Sequence, residues 1–504
     1  MKSLYRVIKF IFSRTAVCIF GITVQVLYIG MLFWTLGTLF FYSYFFFSFI
    51  GFVLSIYIIN SDINQSYKLI WIFTVLSFPI FGCMFYWFYG YRTSRKSTPL
   101  TEEYSSYLYD DNEVYDILLN MDECAAKQAN YIRRYGKLPV YVNTQTRYYP
   151  NGESIFPVML NELERAERFI YLEYFIIQEG MMWNSILEIL ERKANDGVDV
   201  RVIYDDIGCL LTLPRNYCHV LNRKGINSCS FGRLRPIWSP KINNRDHRKM
   251  LIIDGRTAFT GGINLADEYI NQYKKHGYWK DSALFMSGDA VNSFTVMFLS
   301  LWNRLNACNI DVPLSYSSAI KAQGFTIPYT DSPSDHEMLG ENVYINVINN
   351  SRRYVYITTP YLILDNEMKT ALILAAKNGI DVRIITPHIA DKKFVHAVTR
   401  SNYKELITNG IRIFEFLPGF IHAKNFVCDD HISVVGTINL DFRSLYLHYE
   451  CGVWMYDTPA VYDVKKDFMD TLEQCKEITQ VECTKQNLVK RIGCALIRLF
   501  SPLM

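Results

Sequence analysis

About a third of this chain is written twice, and that restricts its fold more than any other feature. Arg168-Phe-Ile-Tyr-Leu-Glu-Tyr is answered by Arg353-Tyr-Val-Tyr-Ile-Thr-Thr, and Gly197-Val-Asp-Val-Arg-Val-Ile by Gly379-Ile-Asp-Val-Arg-Ile-Ile, at offsets of 185 and 182. Further on, His247-Arg-Lys-Met-Leu-Ile-Ile-Asp254 pairs with His422-Ala-Lys-Asn-Phe-Val-Cys-Asp429, and Gly261-Gly-Ile-Asn264 with Gly436-Thr-Ile-Asn439, both at 175. A repeat of this period means two copies of one supersecondary assembly. Within a copy, amphipathic stretches such as 156–168 and 182–195 lead into apolar, β-branched runs at 169–176 and 198–204, which predicts an α/β fold. The first copy is expected over 151–305, opening at the Asn151-Gly152 turn, and the second over 343–487. Between them 306–342 carries Pro313, Gly324, Pro328, Pro333 and Gly340 and reads as a linker.

The N-terminal part obeys different physics. Residues 15–59 contain no Asp, Glu, Lys or Arg, and neither do 69–91. About 20 apolar residues cross a bilayer, so three transmembrane helices are expected, at about 15–36, 39–59 and 69–91, making 1–91 a multi-pass anchor in the cell membrane. The basic residues flanking the spans conflict over orientation, because Lys2, Arg6, Lys9 and Arg14 favour a cytoplasmic N-terminus whereas Arg92, Arg95 and Lys96 favour a cytoplasmic main domain. Sidedness stays open. Residues 92–150 form a polar lead-in, and 488–504 form an amphipathic segment suited to a membrane surface or to the protein's own core.

Charge narrows the class of substrate. The net charge is +3, but residues 1–100 hold eight Lys or Arg against Asp62 alone, a local +7 that leaves −4 for the rest. A nucleic-acid enzyme needs its basic surplus in the folded domain, so no nucleic-acid partner is expected. The 12 cysteines lack a C-x-x-C pair and are expected to be mostly buried thiols.

In a strand, residues two apart share a face, so His247 joins Lys249 and His422 joins Lys424. Two halves packed about a pseudo-twofold axis would put two imidazoles and two ammonium groups in one cleft. Cleaving a phosphodiester needs a nucleophile, a proton donor for the departing alkoxide and positive charge around the phosphoryl oxygens, and this set supplies all three. Neither a metal nor an organic cofactor is called for. Asn264 and Asn439 are candidate phosphate donors, and Glu450 or Asp281 a candidate to hold an imidazole in its working tautomer. Asp254 and Asp429 complete the motifs, with orientation or turn structure expected of them rather than direct chemistry. Motifs alone do not separate water from an alcohol as acceptor, nor exclude a scaffold that only binds anionic lipid.

These H-x-K-x4-D motifs, with their trailing G-G-x-N and G-T-x-N-x-D-x-R-S segments, resemble the phospholipase D superfamily, and within it the bacterial cardiolipin synthases. Tyr204-Asp-Asp-Ile-Gly208, Asn264-Leu-Ala-Asp-Glu-Tyr269 and Trp279-Lys-Asp281 extend the likeness over nearly the whole chain. The resemblance implies N-terminal transmembrane helices followed by a duplicated phospholipase D-like α/β pair with one active site between the halves. It also implies phosphatidyl transfer from one phosphatidylglycerol to another, through a phosphohistidine on His247 with His422 as general acid and base. Lys249, Lys424, Asn264 and Asn439 would hold phosphate, and Glu450 would orient an imidazole. A membrane-bound hydrolase, or another phosphatidyltransferase of the superfamily, is the alternative. The chain departs from the family pattern at His448, where Asn is common, and in carrying an additional apolar span.

Overall fold

A computed structural model of the chain describes residues 23–28, 30–31, 37–61, 63–90, 108, 110, 112–233, 243–316, 320–333, 337–484 and 501. The expected span at 15–36, apart from helical pieces at 23–28 and 30–31, and the expected amphipathic segment at 488–504, apart from residue 501, lie outside them. The chain divides into two compact units, residues 1–94 with 235–241, and the remainder.

In the smaller unit, Gly37–Ile59 forms one uninterrupted helix. Its Tyr42–Ile59 stretch is long and apolar enough to cross a membrane, and it alone passes that test among the described residues. The expected span at 69–91 is not continuous. It breaks into helices Gln65–Ser77 and Pro79–Tyr89, because proline lacks an N–H and clashes with the preceding turn, and Phe78 leaves the helical region at φ −133°, ψ 72°. The two pieces fold back on each other: the Trp71 ring lies 5.5 Å from Phe85 and 5.3 Å from Tyr86. At 1.5 Å per residue the longer piece reaches only about 20 Å, short of a bilayer core of roughly 30 Å.

The larger unit repeats one sheet. Its first half supplies β1 (Thr144–Tyr149), β2 (Phe169–Tyr174), β3 (Asp199–Asp205), β4 (Asn227–Phe231), β5 (Arg245–Asp246), β6 (Lys249–Ile253), β7 (Thr257–Gly261), β8 (Tyr278–Lys280) and β9 (Ala283–Gly288). The second supplies β10 (Phe325–Asp331), β11 (Tyr354–Thr358), β12 (Asp381–Pro387), β13 (Arg412–Phe416), β14 (Gly419–Ile421), β15 (Asn425–Cys428), β16 (Ile432–Gly436), β17 (His448–Tyr456) and β18 (Cys475–Glu477). The spatial orders are β1-β9-β7-β6-β2-β3-β4 and β10-β17-β16-β15-β11-β12-β13-β18, the same path with β18 added. Strands β2, β3 and β4 are mutually parallel, as are β11, β12 and β13, and the remaining pairs along both paths are antiparallel.

Two features fall outside the boundaries expected from sequence. Strand β10, containing Pro328, lies within the stretch read as a linker and forms the edge of the second sheet beside β17, a place where proline's missing N–H does little harm. Strand β1 precedes Asn151, whose side chain caps helix Gly152–Glu164 by accepting from the Ser154 N–H. That helix and Met181–Asn195 cover one face of the first sheet, with Ile155, Trp183, Ile186, Leu190, Val200, Val202 and Leu251 in the core beneath them. The opposite side receives helix Val291–Asn306, which is buried from Val291 to Asn303 and packs against strands of both sheets, β4, β6 and β10 among them.

Two short strands cross between the halves. β5 of the first half pairs in parallel with β17 of the second, Arg245 opposite His448 and Asp246 opposite Tyr449. β14 of the second half pairs in parallel with β8 of the first, Phe420 opposite Trp279 and Ile421 opposite Lys280. Asp205 braces the first exchange by accepting from the Asp246 N–H at 3.1 Å. Near the second, Ser282 Oγ donates to Asn425 Oδ1 at 3.0 Å, and Asn425 Nδ2 donates to the Tyr148 hydroxyl at 2.9 Å. The ten described cysteines carry free thiols.

Candidate active site

The crossing strands decide which carboxylate meets which histidine. One residue beyond β5 is His247, whose N–H donates to the Tyr449 carbonyl at 2.9 Å, and the next residue of β17 is Glu450. His247 Nδ1 accordingly lies 2.9 and 3.0 Å from the two Glu450 oxygens. One residue beyond β14 is His422, whose N–H donates to the Lys280 carbonyl at 2.6 Å, and the next residue beyond β8 is Asp281. His422 Nδ1 lies 2.7 Å from Asp281 Oδ2. Each motif histidine is therefore held by an acid of the other half. A carboxylate at Nδ1 fixes the proton there and leaves Nε2 with its lone pair, the state a nucleophile needs.

The two carboxylates are not equivalent. Glu450 accepts from the Ser444 hydroxyl at 2.5 Å and from the Thr437 hydroxyl. Asp281 accepts from the Ser282 N–H at 2.8 Å and at the limit of hydrogen-bond distance, 3.5 Å, from Trp279 Nε1. Gly262 occupies the place that Thr437 holds in the second copy; a Cβ there would lie 2.0 Å from Asp281 Oδ1. Thr437 and Ser444 belong to the G-T-x-N-x-D-x-R-S segment of the second copy, but only the fold aims their hydroxyls at Glu450.

Lys249 Nζ donates to the His247 carbonyl at 2.6 Å, and Lys424 Nζ to the His422 carbonyl. An ammonium has three donors, so each keeps two after that bond. The two histidines, the two lysines and both acids are buried. Burial, reinforced by Lys249, Lys424 and His422, holds the His247 pKa well below the ordinary imidazole range. Burial and then Lys424 bring His422 down to about 4, while Asp281 pulls the other way. Burial lowers Lys249 to about 8 and Lys424 to about 7. Burial acts to raise Asp281, but the adjoining His422 and Lys424 outweigh it and keep its carboxyl below the usual range. Four mutually repelling buried basic groups are poised for an anion.

Apolar rings wall the site. Phe175 meets His247 edge-on at 4.9 Å and lies 5.6 Å from Lys249 Nζ, while Trp279, Tyr269 and Phe420 surround His422 at 5.4, 5.7 and 6.0 Å. Phe175 and Phe420 carry no signal in the motifs and were not anticipated.

The two asparagines differ. Asn264 Oδ1 accepts from the Ile176 N–H at 3.1 Å and its Nδ2 donates to the Tyr269 hydroxyl at 2.7 Å, so its amide is engaged at both ends within the first half. Asn439 is buried with its Oδ1 unpartnered. The motif aspartates stand apart from the chemistry. Strand β6 separates Asp254 from Lys249, roughly 17 Å at ~3.3 Å per residue. Asp254 accepts from the N–H groups of Glu167, Arg168 and Phe169 at 3.0, 2.7 and 2.9 Å, and Asp429 does the same for Arg352, Arg353 and Tyr354 at 2.6, 2.9 and 2.9 Å. Both sit at positive φ, 55° and 54°, a conformation Asp tolerates better than most residues. They anchor the entry to β2 and β11. Asp254→Ala should therefore cost about 2–4 kcal/mol of stability through lost charge-assisted hydrogen bonds, with turnover per folded molecule within a few-fold of wild type; thermal unfolding alongside activity normalised to folded protein checks this.

Comparison with known proteins agrees with this geometry. The family model described as "Cardiolipin synthase, PLD-like domain" matches residues 159–302 and 344–472, one match per half, and "Phospholipase_D-nuclease N-terminal" matches 49–90. An uncharacterised protein of Streptococcus mutans is 46% identical over 89% of this chain and 99% of its own length. Cardiolipin synthase 2 of Bacillus cereus is 33% identical over 90% of both chains, and a cardiolipin synthase of a Geobacillus strain is 32% identical over 90% of this chain and 92% of its own. Among solved structures, the phosphatidylserine synthase of Haemophilus influenzae shares the fold, with a TM-score of 0.56 at 15% identity over 75% of this chain and all of that one. With a domain match in each half and relatives above 30% identity along nine-tenths of its length, the chain belongs to the cardiolipin synthase family of phospholipase D-like enzymes.

Proposed function

We propose that this protein joins two phosphatidylglycerol molecules into cardiolipin and releases glycerol, through a phosphohistidine on His247. The observation that carries this reading is the crossed pair His247–Glu450 and His422–Asp281 around two buried lysines. His247 Nε2 attacks the phosphorus of the first lipid, forming the N–P bond as the P–O bond to glycerol breaks. Protonated His422 gives its proton to the departing glycerol oxygen, then removes the proton of the incoming lipid's glycerol hydroxyl, which attacks phosphorus and frees His247. Lys249, Lys424 and the Asn439 amide bear the phosphoryl charge, and Asn264 shapes the wall through Tyr269.

The division of labour follows from the acids. Glu450 accepts from the Thr437 and Ser444 hydroxyls, and hydrogen bonds to a carboxylate weaken it as a base, so His247 keeps an unprotonated Nε2. Asp281, whose second donor stands at 3.5 Å, raises the proton affinity of His422, as a general acid requires. A phosphodiester anion entering the cleft raises it further. The two roles need the two imidazoles in opposite protonation states.

The Gly37–Ile59 helix anchors the enzyme in the cell membrane, where its lipid substrates lie, and a multi-pass arrangement would be completed by the segment before it. Purified, detergent-solubilised protein given phosphatidylglycerol alone, with chelator present, should yield cardiolipin and equimolar glycerol by mass analysis. Phosphatidic acid alone would make the enzyme a hydrolase, and absence of any product would favour a lipid-binding scaffold.

A further inference from the structure

One partly buried imidazole has no part in the transfer chemistry. His448 begins β17 two residues before Glu450, so both project from the same face of the strand. Its Nδ1 stands 3.8 Å from Glu450 Oε1, beyond hydrogen-bond distance, and its ring lies 5.6 Å from that of His247. Both of its nitrogens are enclosed without a hydrogen-bond partner. An orphaned enclosed polar group carries its full desolvation penalty, and a neutral imidazole whose two nitrogens find no partner has a lone pair to offer.

Ligand atoms of His247, His448 and Glu450 all lie within 4.8 Å of one another. Atoms held about 2.1 Å from a tetrahedral ion stand about 3.4 Å apart. The separations of 2.9 Å between His247 and Glu450 and 3.8 Å between His448 and Glu450 bracket that value, so small side-chain rotations suffice. Two nitrogens and one carboxylate oxygen suit a borderline transition ion such as zinc, not magnesium or calcium, which prefer oxygen alone.

We propose that His247, His448 and Glu450 form an inhibitory site for a zinc-like divalent ion. The ion takes the Nδ1 lone pair of His247 and a Glu450 oxygen, and the proton that Nδ1 shared with Glu450 moves to Nε2. With Nε2 protonated, His247 has no lone pair with which to attack phosphorus. Lys249 and Lys424 repel the dication, which keeps binding weaker than in a structural zinc centre and hence reversible. Ion binding stands independently of the transfer chemistry; the loss of turnover rests on the phosphatidyl-transfer reading.

The full-length protein in detergent is titrated with Co²⁺ as a spectroscopic probe and with Zn²⁺ during turnover, using wild type, His448→Asn and His448→Gln, each shown to be folded by thermal unfolding. Wild type should bind one Co²⁺ with ligand-field bands and no thiolate charge transfer, and the affinity should fall at least about tenfold in both variants. Zinc should stop wild-type turnover, chelator should restore it, and the half-inhibiting zinc concentration should rise at least about tenfold in a variant that turns over. Equal affinity in all three proteins, or a spectrum of cysteine coordination alone, would overturn the proposal. Cobalt bound through His448 in a protein that makes no cardiolipin would uphold the site and sink the transfer reading.

Discussion

Replacing His247 by Ala should abolish cardiolipin formation, and replacing His422 by Ala should reduce it by about 10³–10⁴-fold, but the two losses should differ in kind. His247 is expected to form the bond to phosphorus and His422 to protonate the leaving glycerol. A phosphatidyl ester of p-nitrophenol needs no such proton, because the phenolate departs unaided. On that substrate His422→Ala should release a burst of one p-nitrophenol per site and retain an acid-labile phosphatidyl group on His247, since the acceptor's deprotonation is now missing. His247→Ala should show neither burst nor label. A burst in His247→Ala and none in His422→Ala would exchange the two roles, and a burst in both would rule out a single histidine nucleophile.

The second large effect concerns Lys424. Substitution by Met should lower kcat/KM about 10²–10³-fold, equivalent to about 2.7–4 kcal/mol of lost charge stabilisation. It should also move the pH profile in a defined direction. After burial, Lys424 is the first cause that depresses His422, and it adds to the depression of His247. Without it both imidazoles bind protons more readily, so the acid limb of kcat/KM, where the nucleophile protonates, should shift to higher pH. On the alkaline side the free enzyme loses cations as Lys424 and Lys249 deprotonate at about 7 and about 8. Wild-type kcat/KM should therefore decline through that window as pH rises, whereas the Met variant should keep only the limb near 8. An acid limb that does not move would mean that Lys424 shapes the site without acting on it through charge.

Much of this site is legible in the sequence, and the residues say why. A strand's period of two puts His247 beside Lys249 and His422 beside Lys424 wherever the strands end up, and an internal repeat displays two such pairs in linear order. The α/β alternation is equally local, since β2, β3 and the helices between them follow from apolar spacing within about 40 residues. The long uncharged stretch at 37–59 needs no partner to become a helix, because a bilayer leaves a backbone little other choice. What happens at Phe78–Pro79 is different: composition permits a kinked span, and only the packing of Trp71 on Phe85 and Tyr86 shows the chain turning back.

The acids mark the same boundary. In the sequence, Glu450 and Asp281 are the candidates to hold an imidazole and Asp254 and Asp429 are motif members; spacing cannot say which acid meets which histidine. The fold sends the motif aspartates to the far end of their strands to gather backbone N–H groups. It brings Glu450 to His247 across 203 residues and Asp281 to His422 across 141. That assignment is made by the registers of β5 on β17 and β14 on β8, which are contacts between halves with no counterpart in any local pattern. The chain by itself singled out the two His–Lys pairs as candidates for the chemistry, because side-chain type and strand period are local properties. Tertiary structure decided which acid serves which histidine, which asparagine keeps an uncommitted oxygen and which imidazole is left without a partner, because each of these depends on where two distant backbones meet.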